Sequence, residues 1–489
     1  MRVFIFGIGG TGSKVLRALT MLLASGVKLD SEDLTIIPIV IDTDAHNGNT
    51  AKTRDLLRSY HAIRNTFVSK TANSKSNTFF NTQIRAFNKL DSGSGDAADL
   101  DVQLNFQNKQ NTFADFINYR YLNQENRDIM ELLYSDSMDD YRELHLDLTV
   151  GFKGNPNIGS VVFNGLMDSQ QYKNLENSFL ATDRVFIISS IFGGTGSSGF
   201  PTLVKLMRSS INENLKNAKI GALTMMPYYN VENKDKGAIR PEFWDTKTKA
   251  ALSFYDEDSH INSVNAMYYM ADKEASGSLK YSEGGADQVT PGHLVELLGA
   301  SAIIDFINKN NDELSSAKVY EFGTNSGENP FTIAQFGNET KENCIKPMTR
   351  FAYAAQIATA FIPKLHKETF YKPNELNIEG ALGIPNEYNK LIEFFKEFKA
   401  WTGNEMANKD NGRTFSSYSF DSDSNLNTIV QGKYIKTSWL NSGLTSSKIG
   451  KRLTEIALKE PKDLSVPQKY LNTLFKVSDS CMDDIGQMP

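Results

Sequence analysis

The sequence of 489 residues is poor in cysteine, in excess positive charge and in long apolar runs, and each shortage excludes a class of protein. Its two cysteines, Cys344 and Cys481, are too few for a disulfide scaffold and lack metal-ligand spacing. Aspartate and glutamate (58) outnumber lysine and arginine (52), so we expect no nucleic-acid partner. No stretch approaches the ~18 to 20 apolar residues of a membrane helix, and the N-terminus reads as a strand rather than a signal peptide. These shortages predict a cytoplasmic protein without membrane insertion.

Short β-prone runs alternate with helical patterns over roughly the first 310 residues. Strands are predicted at 2–6, 34–41, 184–191, 219–226 and 265–271, and helices at 201–216, 244–257 and 290–309. The loosely patterned polar segment 48–147 reads as an insertion with helices near 51–67 and 125–141. Beyond residue 310 the pattern gives strands at 318–322 and 331–336, helices at 348–365 and 386–401, and a weakly patterned tail over 428–489. Alternating strands and helices predict an α/β fold with a mostly parallel sheet covered on both faces, followed by a mainly helical region.

A glycine-rich loop lies between the first predicted strand and the first predicted helix. Residues 7–12 read Gly-Ile-Gly-Gly-Thr-Gly, which satisfies G-x-G-x-x-G, and the acidic Asp42 ends the second predicted strand. Glycines allow phosphate to approach the backbone, and the helix N-terminus offers N–H groups and a partial positive charge. The loop predicts nucleotide phosphate binding. An NAD-dependent enzyme, an E1-like adenylating enzyme and a tubulin or FtsZ-type GTPase all fit it, and a tight turn without a ligand is the simplest alternative.

A second glycine-rich loop follows the predicted strand at 184–191. Residues 192–201 read Phe-Gly-Gly-Thr-Gly-Ser-Ser-Gly-Phe-Pro, which resembles the tubulin/FtsZ signature GGGTG[ST]G except at Phe192 and Ser198. Residues 42–46, Asp-Thr-Asp-Ala-His, resemble the FtsZ loop Asn-Thr-Asp-Ala-Gln, and residues 154–159, Gly-Asn-Pro-Asn-Ile-Gly, resemble Ala-Asn-Pro-Glu-Ile-Gly. The motifs occur in the family's order. The sequence therefore resembles the tubulin/FtsZ superfamily, and its long insertion is most similar to the divergent bacterial tubulin-like proteins.

The resemblance implies a GTP or GDP site with bound Mg²⁺. The residues that it places around the α and β phosphates are Gly9, Gly10, Thr11 and Gly12. The residues of the signature loop are Gly193, Gly194, Thr195, Gly196 and Ser197. Asn155 and Gly159 would bound the γ-phosphate pocket, and Asp42 and Asp44 would lie near the phosphates, with Asp44 as the metal ligand. An ordinary polar loop that caps a helix is the alternative for both aspartates.

The base-contacting and catalytic residues follow from the resemblance less directly. Asp272, after the strand at 265–271, and His293, at the start of the core helix at 290–309, are candidates for the base and ribose, although each also suits a turn or a cap. In polymerising family members the loop after this helix supplies an acidic residue to the next subunit's nucleotide. Here residues 308–314 lack the Asn-x-Asp-Phe arrangement of FtsZ, and Asp312 and Glu313 are the candidates, with capping of the following turn as the alternative.

These observations predict a Rossmann-like nucleotide-binding domain of tubulin/FtsZ type over 1–310, and a mainly helical C-terminal domain over 311–489. The first functional hypothesis is a tubulin-like GTP-binding protein, a magnesium-dependent GTPase that self-assembles head to tail into a homo-oligomer or filament through its nucleotide face. The second is a non-hydrolysing scaffold or switch that engages a protein partner through the C-terminal region. The third, supported by the first loop only, is an E1-like or NAD-dependent Rossmann enzyme.

Overall fold

A parallel sheet lies at the centre of the fold. The computed structural model describes residues 1–44, 47–70, 72, 76–87, 102–106, 112–134, 143–152, 154–228, 230–231, 244–272, 278–279, 289–321, 330–365, 388–408, 413–420, 426–431 and 443–485. Seven described strands form this sheet: β1 (Arg2–Ile8), β2 (Thr35–Ile41), β3 (Gln83–Ile84), β4 (Arg184–Ser190), β5 (Lys219–Met225), β6 (Ala266–Met270) and β7 (Lys318–Glu321). Their order is β3-β2-β1-β4-β5-β6-β7, and every pairing is parallel. A separate parallel pair joins Asn230–Val231 to Ser278–Leu279.

Helices flank the sheet and connect its strands. The longer described helices are α1 (Gly9–Ala24), α2 (Gly48–Phe67), α3 (Gln124–Leu133), α4 (Pro156–Asn164), α5 (Gln170–Ser178), α6 (Gly194–Arg208), α7 (Trp244–Glu257), α8 (Leu294–Asn308), α9 (Lys346–Gln356), α10 (Asn389–Ala400), α11 (Ser446–Lys459) and α12 (Val466–Ile485). Short α-helical turns lie at Phe113–Phe116, Glu213–Lys216, Asn338–Thr340 and Ile362–Leu365, and π-helical turns at Lys341–Ile345, Ile357–Phe361 and Trp401–Glu405. Helix α1 packs against α2 and α8, and α4 packs against α6. No helix in the described part of the chain combines the length and the apolar character needed to cross a membrane.

The core helix α8 is the predicted helix at 290–309. It is apolar around most of its circumference, and 13 of its 15 residues are buried. A helix of this composition has to lie inside the protein, because no polar face is available for solvent. Its position between α1 and strands β5 and β6 satisfies that requirement.

The predicted α/β Rossmann-like fold with a helical C-terminal region is confirmed. The five strands predicted before residue 310 all occur, and so does the strand at 318–321. The strand predicted at 331–336 is wrong, because Thr332 and Gln335 form a capping box around a 3-10 turn at Ile333–Gln335. The tail at 428–489, whose weak pattern predicted no particular element, contains α11 and α12. The helix predicted at 125–141 ends at Leu133, and 135–142 lie outside the described residues.

The predicted domain limits divide elements that pack together. Helix α2 and strand β3 belong to the segment 48–147, yet α2 packs on α1 and β3 pairs with β2. Strand β7 completes the sheet although it follows residue 310. Helices α10 and α12 of the C-terminal region pack against α2. The segment expected to be an insertion is therefore the support on which the helical region docks.

Candidate functional site

Three loops meet at the carboxyl edge of the sheet, because β2, β1 and β4 are neighbours and run parallel. Each of these strands is followed by a loop that leads into a helix: β1 into α1, β2 into α2 and β4 into α6. The carboxyl edge of an open parallel sheet is where such folds bind ligands. Both glycine loops and the segment after Asp42 therefore lie at the same edge of the sheet.

Several glycines in these loops serve the packing of helix against strand. A Cβ at Gly12 would lie 2.6 Å from the carbonyl carbon of Gly7, and a Cβ at Gly196 would lie 2.6 Å from the backbone nitrogen of Ser190. Both distances are too short for real atoms. Helices α1 and α6 can approach their strands this closely only because glycine has no side chain. Gly9 has a different role, since its φ of 67° lies in the left-handed region that favours glycine.

The loops also contact one another. A Cβ at Gly9 would lie 3.5 Å from the Cβ of Thr195, which places the first glycine loop against the second. A Cβ at Gly10 would lie 3.5 Å from Asn47 Nδ2, at the start of α2. A fourth segment, 151–159, joins them: a Cβ at Gly194 would lie 2.9 Å from the backbone nitrogen of Gly154. Four motifs from distant parts of the sequence thus form one cluster.

Three helix N-termini in this cluster have no side-chain cap. Within the described part of the chain, α1, α4 and α6 begin without a side-chain cap, at Ile8, Asn155 and Gly193. Helices α9 and α10 also lack one. By contrast, the first backbone N–H groups of α2, α3, α5, α8 and α11 donate capping bonds to the side chains of Asn47, Asn123, Ser169, His293 and Thr445. The first N–H groups of a helix need a partner, and an anion supplies one. Of the helices without a side-chain cap, α1, α4 and α6 start together at the glycine loops.

The predicted phosphate-binding residues divide into accessible and buried positions. The partly exposed ones are Gly10, Thr11, Asn155, Gly193, Thr195 and Ser197. The buried ones are Gly9, Gly12, Gly159, Gly194 and Gly196. Gly159 lies at the contact of α4 with α6, where a Cβ would overlap Ser198 Oγ. The accessible positions carry N–H groups and hydroxyls but no carboxylate, which is the chemistry that suits a phosphate.

Asp42 and Asp44, which follow β2, are both buried. Asp42 Oδ1 accepts a bond of 3.1 Å from the Asp44 backbone N–H, and Asp42 Oδ2 accepts one of 3.2 Å from Thr50 Oγ1. Burial raises the pKa of Asp42 to about 7, against the smaller opposing effect of these hydrogen bonds. The Asp42 carboxylate is thus engaged by its own chain, rather than directed at a ribose as in a dinucleotide enzyme.

A metal at this site would depend on ligands from the nucleotide. Among the described residues, no group of three or more His, Cys, Asp or Glu side chains is suited to hold a metal ion. Mg²⁺ at phosphate sites commonly takes one or two carboxylates together with phosphate oxygens and water. Asp44 can supply one carboxylate of such a set, so the residues present fit Mg²⁺ only as part of a nucleotide complex.

The candidates for base contact are held by protein groups. His293 is the N-cap of α8: its Nδ1 accepts a bond of 3.1 Å from the Val295 backbone N–H, and it forms a capping box with Glu296. Asp272 forms an ion pair of 3.1 Å with Arg413, from the C-terminal region. Both residues are buried. Asp272 follows the carboxyl end of β6, and His293 precedes the first residue of α8. The contacts of His293 are those of a helix cap, which was the alternative to base contact.

Asp312 and Glu313 lie at the opposite edge of the sheet from the glycine loops. Arg184, the first residue of β4, donates bonds of 2.7 Å to the Lys309 carbonyl and 3.1 Å to Asn311 Oδ1, which fixes this loop at the amino end of the strand. The strand itself separates the two edges by about 20 Å. Glu313 Oε2 accepts a bond from the Asn310 backbone N–H, and both acidic side chains are exposed. Neither can therefore reach the glycine loops of its own chain.

Sequence reasoning missed several charged residues that surround the loops. Lys14, in the second turn of α1, forms a buried ion pair with Glu296. Arg17, one turn later, donates bonds of 2.8 and 3.0 Å to Glu405. Lys247 of α7 donates a bond of 3.0 Å to the Gly154 carbonyl. The sequence signal for Lys14 and Arg17 was the presence of two cationic residues on a largely apolar helix.

Comparisons with known proteins give a distant likeness. No family model matches the sequence, and no curated protein matches it. Among solved structures, CetZ from Methanosaeta thermophila is similar at 13% identity and a TM-score of 0.29, over 63% of this chain and 54% of that chain. CetZ2 from Haloferax volcanii, solved as a GTPγS-bound protofilament, is similar at 11% identity and a TM-score of 0.29, over 63% of this chain and 58% of that chain. The chain thus matches little more than half the length of these two proteins, which belong to the tubulin/FtsZ family.

Proposed function

We propose that the chain is a tubulin-like GTP-binding protein that holds the nucleotide phosphates against the N-termini of α1 and α6. The observation that carries this proposal is the meeting of four motifs, at residues 7–12, 42–50, 151–159 and 193–199, around three uncapped helix N-termini. Each motif alone has a structural explanation. Their joint position at the carboxyl edge would allow the first N–H groups of these helices to bind one anion together.

The accessible residues take the direct roles in this proposal. Gly10 and Thr11 of α1, with Thr195 of α6, would donate to the phosphates. Ser197 lies beside them, but its hydroxyl donates to the Gly193 carbonyl within α6. Asn155, ahead of α4, would bound the terminal phosphate. Asp44 would hold Mg²⁺, which supplies positive charge to the phosphates when it is bound. The buried glycines, by contrast, bring the helices close enough to the sheet for these donors to converge.

Hydrolysis and self-assembly form the further part of the proposal. Because Asp312 and Glu313 lie at the amino edge of the sheet, their carboxylates can act only on a nucleotide held by a second copy. A head-to-tail contact of this kind is heterologous and open-ended, so it would generate filaments. In that case GTP turnover per subunit rises steeply with protein concentration and falls in Asp312→Asn or Glu313→Gln. Turnover that is independent of concentration, or unaffected by both changes, rejects this part.

A non-hydrolysing scaffold or switch is the second candidate, and a specific set of contacts favours it. Glu405 of the C-terminal region accepts bonds from the guanidinium of Arg17 and from the Gly292 backbone N–H, ahead of α8. Asp272 binds Arg413. The helical region is thereby tied to the helix that would hold the phosphates. A nucleotide that changes the protease sensitivity of the C-terminal region without being hydrolysed would support this candidate.

A Rossmann enzyme that uses NAD or forms an adenylate is the third candidate, and the first glycine loop alone supports it. Mass spectrometry of the nucleotide released from purified, denatured protein distinguishes it from the others. We expect a guanine nucleotide, whereas an adenine dinucleotide or adenylate would replace the proposal. Added GTP should also bind in competition with GDP, and Thr195→Ala should weaken that binding, since Thr195 of the second glycine loop lies against Gly9 of the first.

A further inference from the structure

Lys247 connects a third helix to the segment that lies on the second glycine loop. Its Nζ donates a hydrogen bond of 3.0 Å to the carbonyl of Gly154, which has a left-handed φ of 77°. The backbone nitrogen of Gly154 in turn approaches Gly194, at the first residue of α6. Lys247 belongs to the first turn of α7, far in sequence from both loops. The ammonium therefore stands beside the segment 151–159, which the proposed function assigns to the terminal phosphate.

The bond to the Gly154 carbonyl uses only one of the N–H donors of the Lys247 ammonium. A lysine ammonium has three donors, and the carbonyl accepts one. Among the side chains that the structure describes, no carboxylate forms an ion pair with Lys247, and the residue is exposed to solvent. Partial burial lowers the pKa of the Lys247 ammonium, and the charge of Glu143 opposes this. Two donors are thus available to an incoming anion without any rearrangement of the fold.

We propose that Lys247 discriminates a nucleoside triphosphate from a diphosphate by binding the terminal phosphate. The inference rests on the proposed function, because it needs the nucleotide at the glycine loops. A terminal phosphate adds oxygens and negative charge on the side of Gly154, and a lysine is a standard point-charge partner for such a group. A diphosphate lacks that group and leaves Lys247 bonded to the Gly154 carbonyl. Lys247 would also couple α7 to the state of the nucleotide.

A purely structural role is the competing explanation, in which Lys247 only ties α7 to the segment 151–159. The two roles differ in how substitutions affect the two nucleotides. A structural tie would change the affinity for GTP analogue and GDP together. A phosphate contact affects the triphosphate alone. Lys249 is the matched control, because it is an exposed lysine on the same helix, two residues away and hence on another face.

Calorimetric titration of the full chain with GTPγS and with GDP, in the presence of Mg²⁺, tests the inference. We expect Lys247→Met to weaken GTPγS binding about 10- to 100-fold, the size of a lost charge-assisted bond, and GDP binding less than about threefold. Lys247→Arg should retain most of the preference, and Lys249→Met should behave like the wild type. Equal weakening of both nucleotides, or no weakening of either, would overturn the role of Lys247. A wild-type chain that binds neither nucleotide removes the proposed function itself, and this inference with it.

A second measurement needs no variant of Lys247. Acylation of the unmodified protein with an N-hydroxysuccinimide ester, followed by peptide mass spectrometry, reports the reactivity of each lysine. GTPγS should protect Lys247 and leave Lys249 unaffected, whereas GDP should protect neither. Equal protection by both nucleotides, or none by GTPγS under conditions in which it binds, contradicts the inference.

Discussion

Gly10 and Gly12 are two residues apart in the first turn of α1, and replacing each by alanine separates packing from ligand binding. A Cβ at Gly12 would lie 2.6 and 2.8 Å from the backbone atoms C and Cα of Gly7, and 3.1 Å from the Ile188 carbonyl oxygen. These atoms belong to β1 and β4, so relief requires movement of the sheet. Such overpacking costs about 1–3 kcal/mol, while a glycine-to-alanine change within a helix returns at most about 1 kcal/mol. We expect Gly12→Ala to lose about 1–2 kcal/mol of stability.

Gly10→Ala meets no such obstacle. Its Cβ would lie 3.5 Å from Asn47 Nδ2 and 3.8 Å from Asn47 Oδ1, which are ordinary contact distances. Stability should therefore be unchanged, or higher by up to about 1 kcal/mol from helix propensity. The added methyl group would instead occupy space beside the uncapped N–H groups of α1. If phosphate binds there through charge-assisted bonds, the affinity for GTP should fall by about 10- to 100-fold.

The assay pairs urea unfolding with equilibrium dialysis against labelled GTP. Gly337→Ala is the control, because a Cβ at Gly337 meets no atom within 4 Å. Gly337→Ala should match the wild type in both measurements. The reasoning is refuted if Gly10→Ala loses as much stability as Gly12→Ala, or if it binds GTP as tightly as the wild type does.

Other substitutions test the contacts around the site. Arg17→Met removes the bonds of 2.8 and 3.0 Å to Glu405, so urea unfolding should show a loss of about 2 kcal/mol, and proteases should cut the C-terminal region sooner; unchanged stability would mean that the ion pair is worth nothing. Burial raises the pKa of Asp42 to about 7, above the value of about 3.9 in an unfolded chain, so the wild type should lose stability as the pH rises from about 4 to about 7. Asp42→Asn should not show this pH-dependent loss. If the difference in stability between variant and wild type stayed constant over that pH interval, Asp42 would not be its cause. Tyr255→Phe should raise stability by about 1 kcal/mol, because the buried hydroxyl has no partner among the described residues, whereas Tyr60→Phe should lower it by a similar amount, because the Tyr60 hydroxyl donates a bond of 2.8 Å; the reverse order of melting temperatures would refute both.

The sheet and the glycine loops were predictable because their signals are local. The strands β1, β2 and β4 are short apolar runs that end at glycine or aspartate, and a parallel sheet buries such runs on both faces. The meeting of the loops then follows from the order of parallel strands. Which glycines are accessible and which are needed for packing could not be predicted, because the atoms that surround Gly12 and Gly196 come from other strands and turns.

The contacts between the site and the C-terminal region lay beyond sequence reasoning. Arg17 and Glu405 are 388 positions apart, and nothing local to either residue indicates the other. Strand β7 was predicted as a strand, but its place in the sheet was not, because that place depends on its pairing with β6. Residues 331–336 contain the β-prone residues Phe331, Thr332 and Ile333, but the capping box of Thr332 and Gln335 forms a 3-10 turn there.

Direct titration of GTP into the full-length wild type and Gly10→Ala, side by side with Mg²⁺ present, tests the central claim most directly. The proposed site predicts saturable binding of about one GTP per wild-type chain and at least tenfold weaker binding to Gly10→Ala, with both proteins equally folded. A wild-type chain that does not bind GTP, or a Gly10→Ala variant that binds it equally well, would contradict a nucleotide site at the glycine loops.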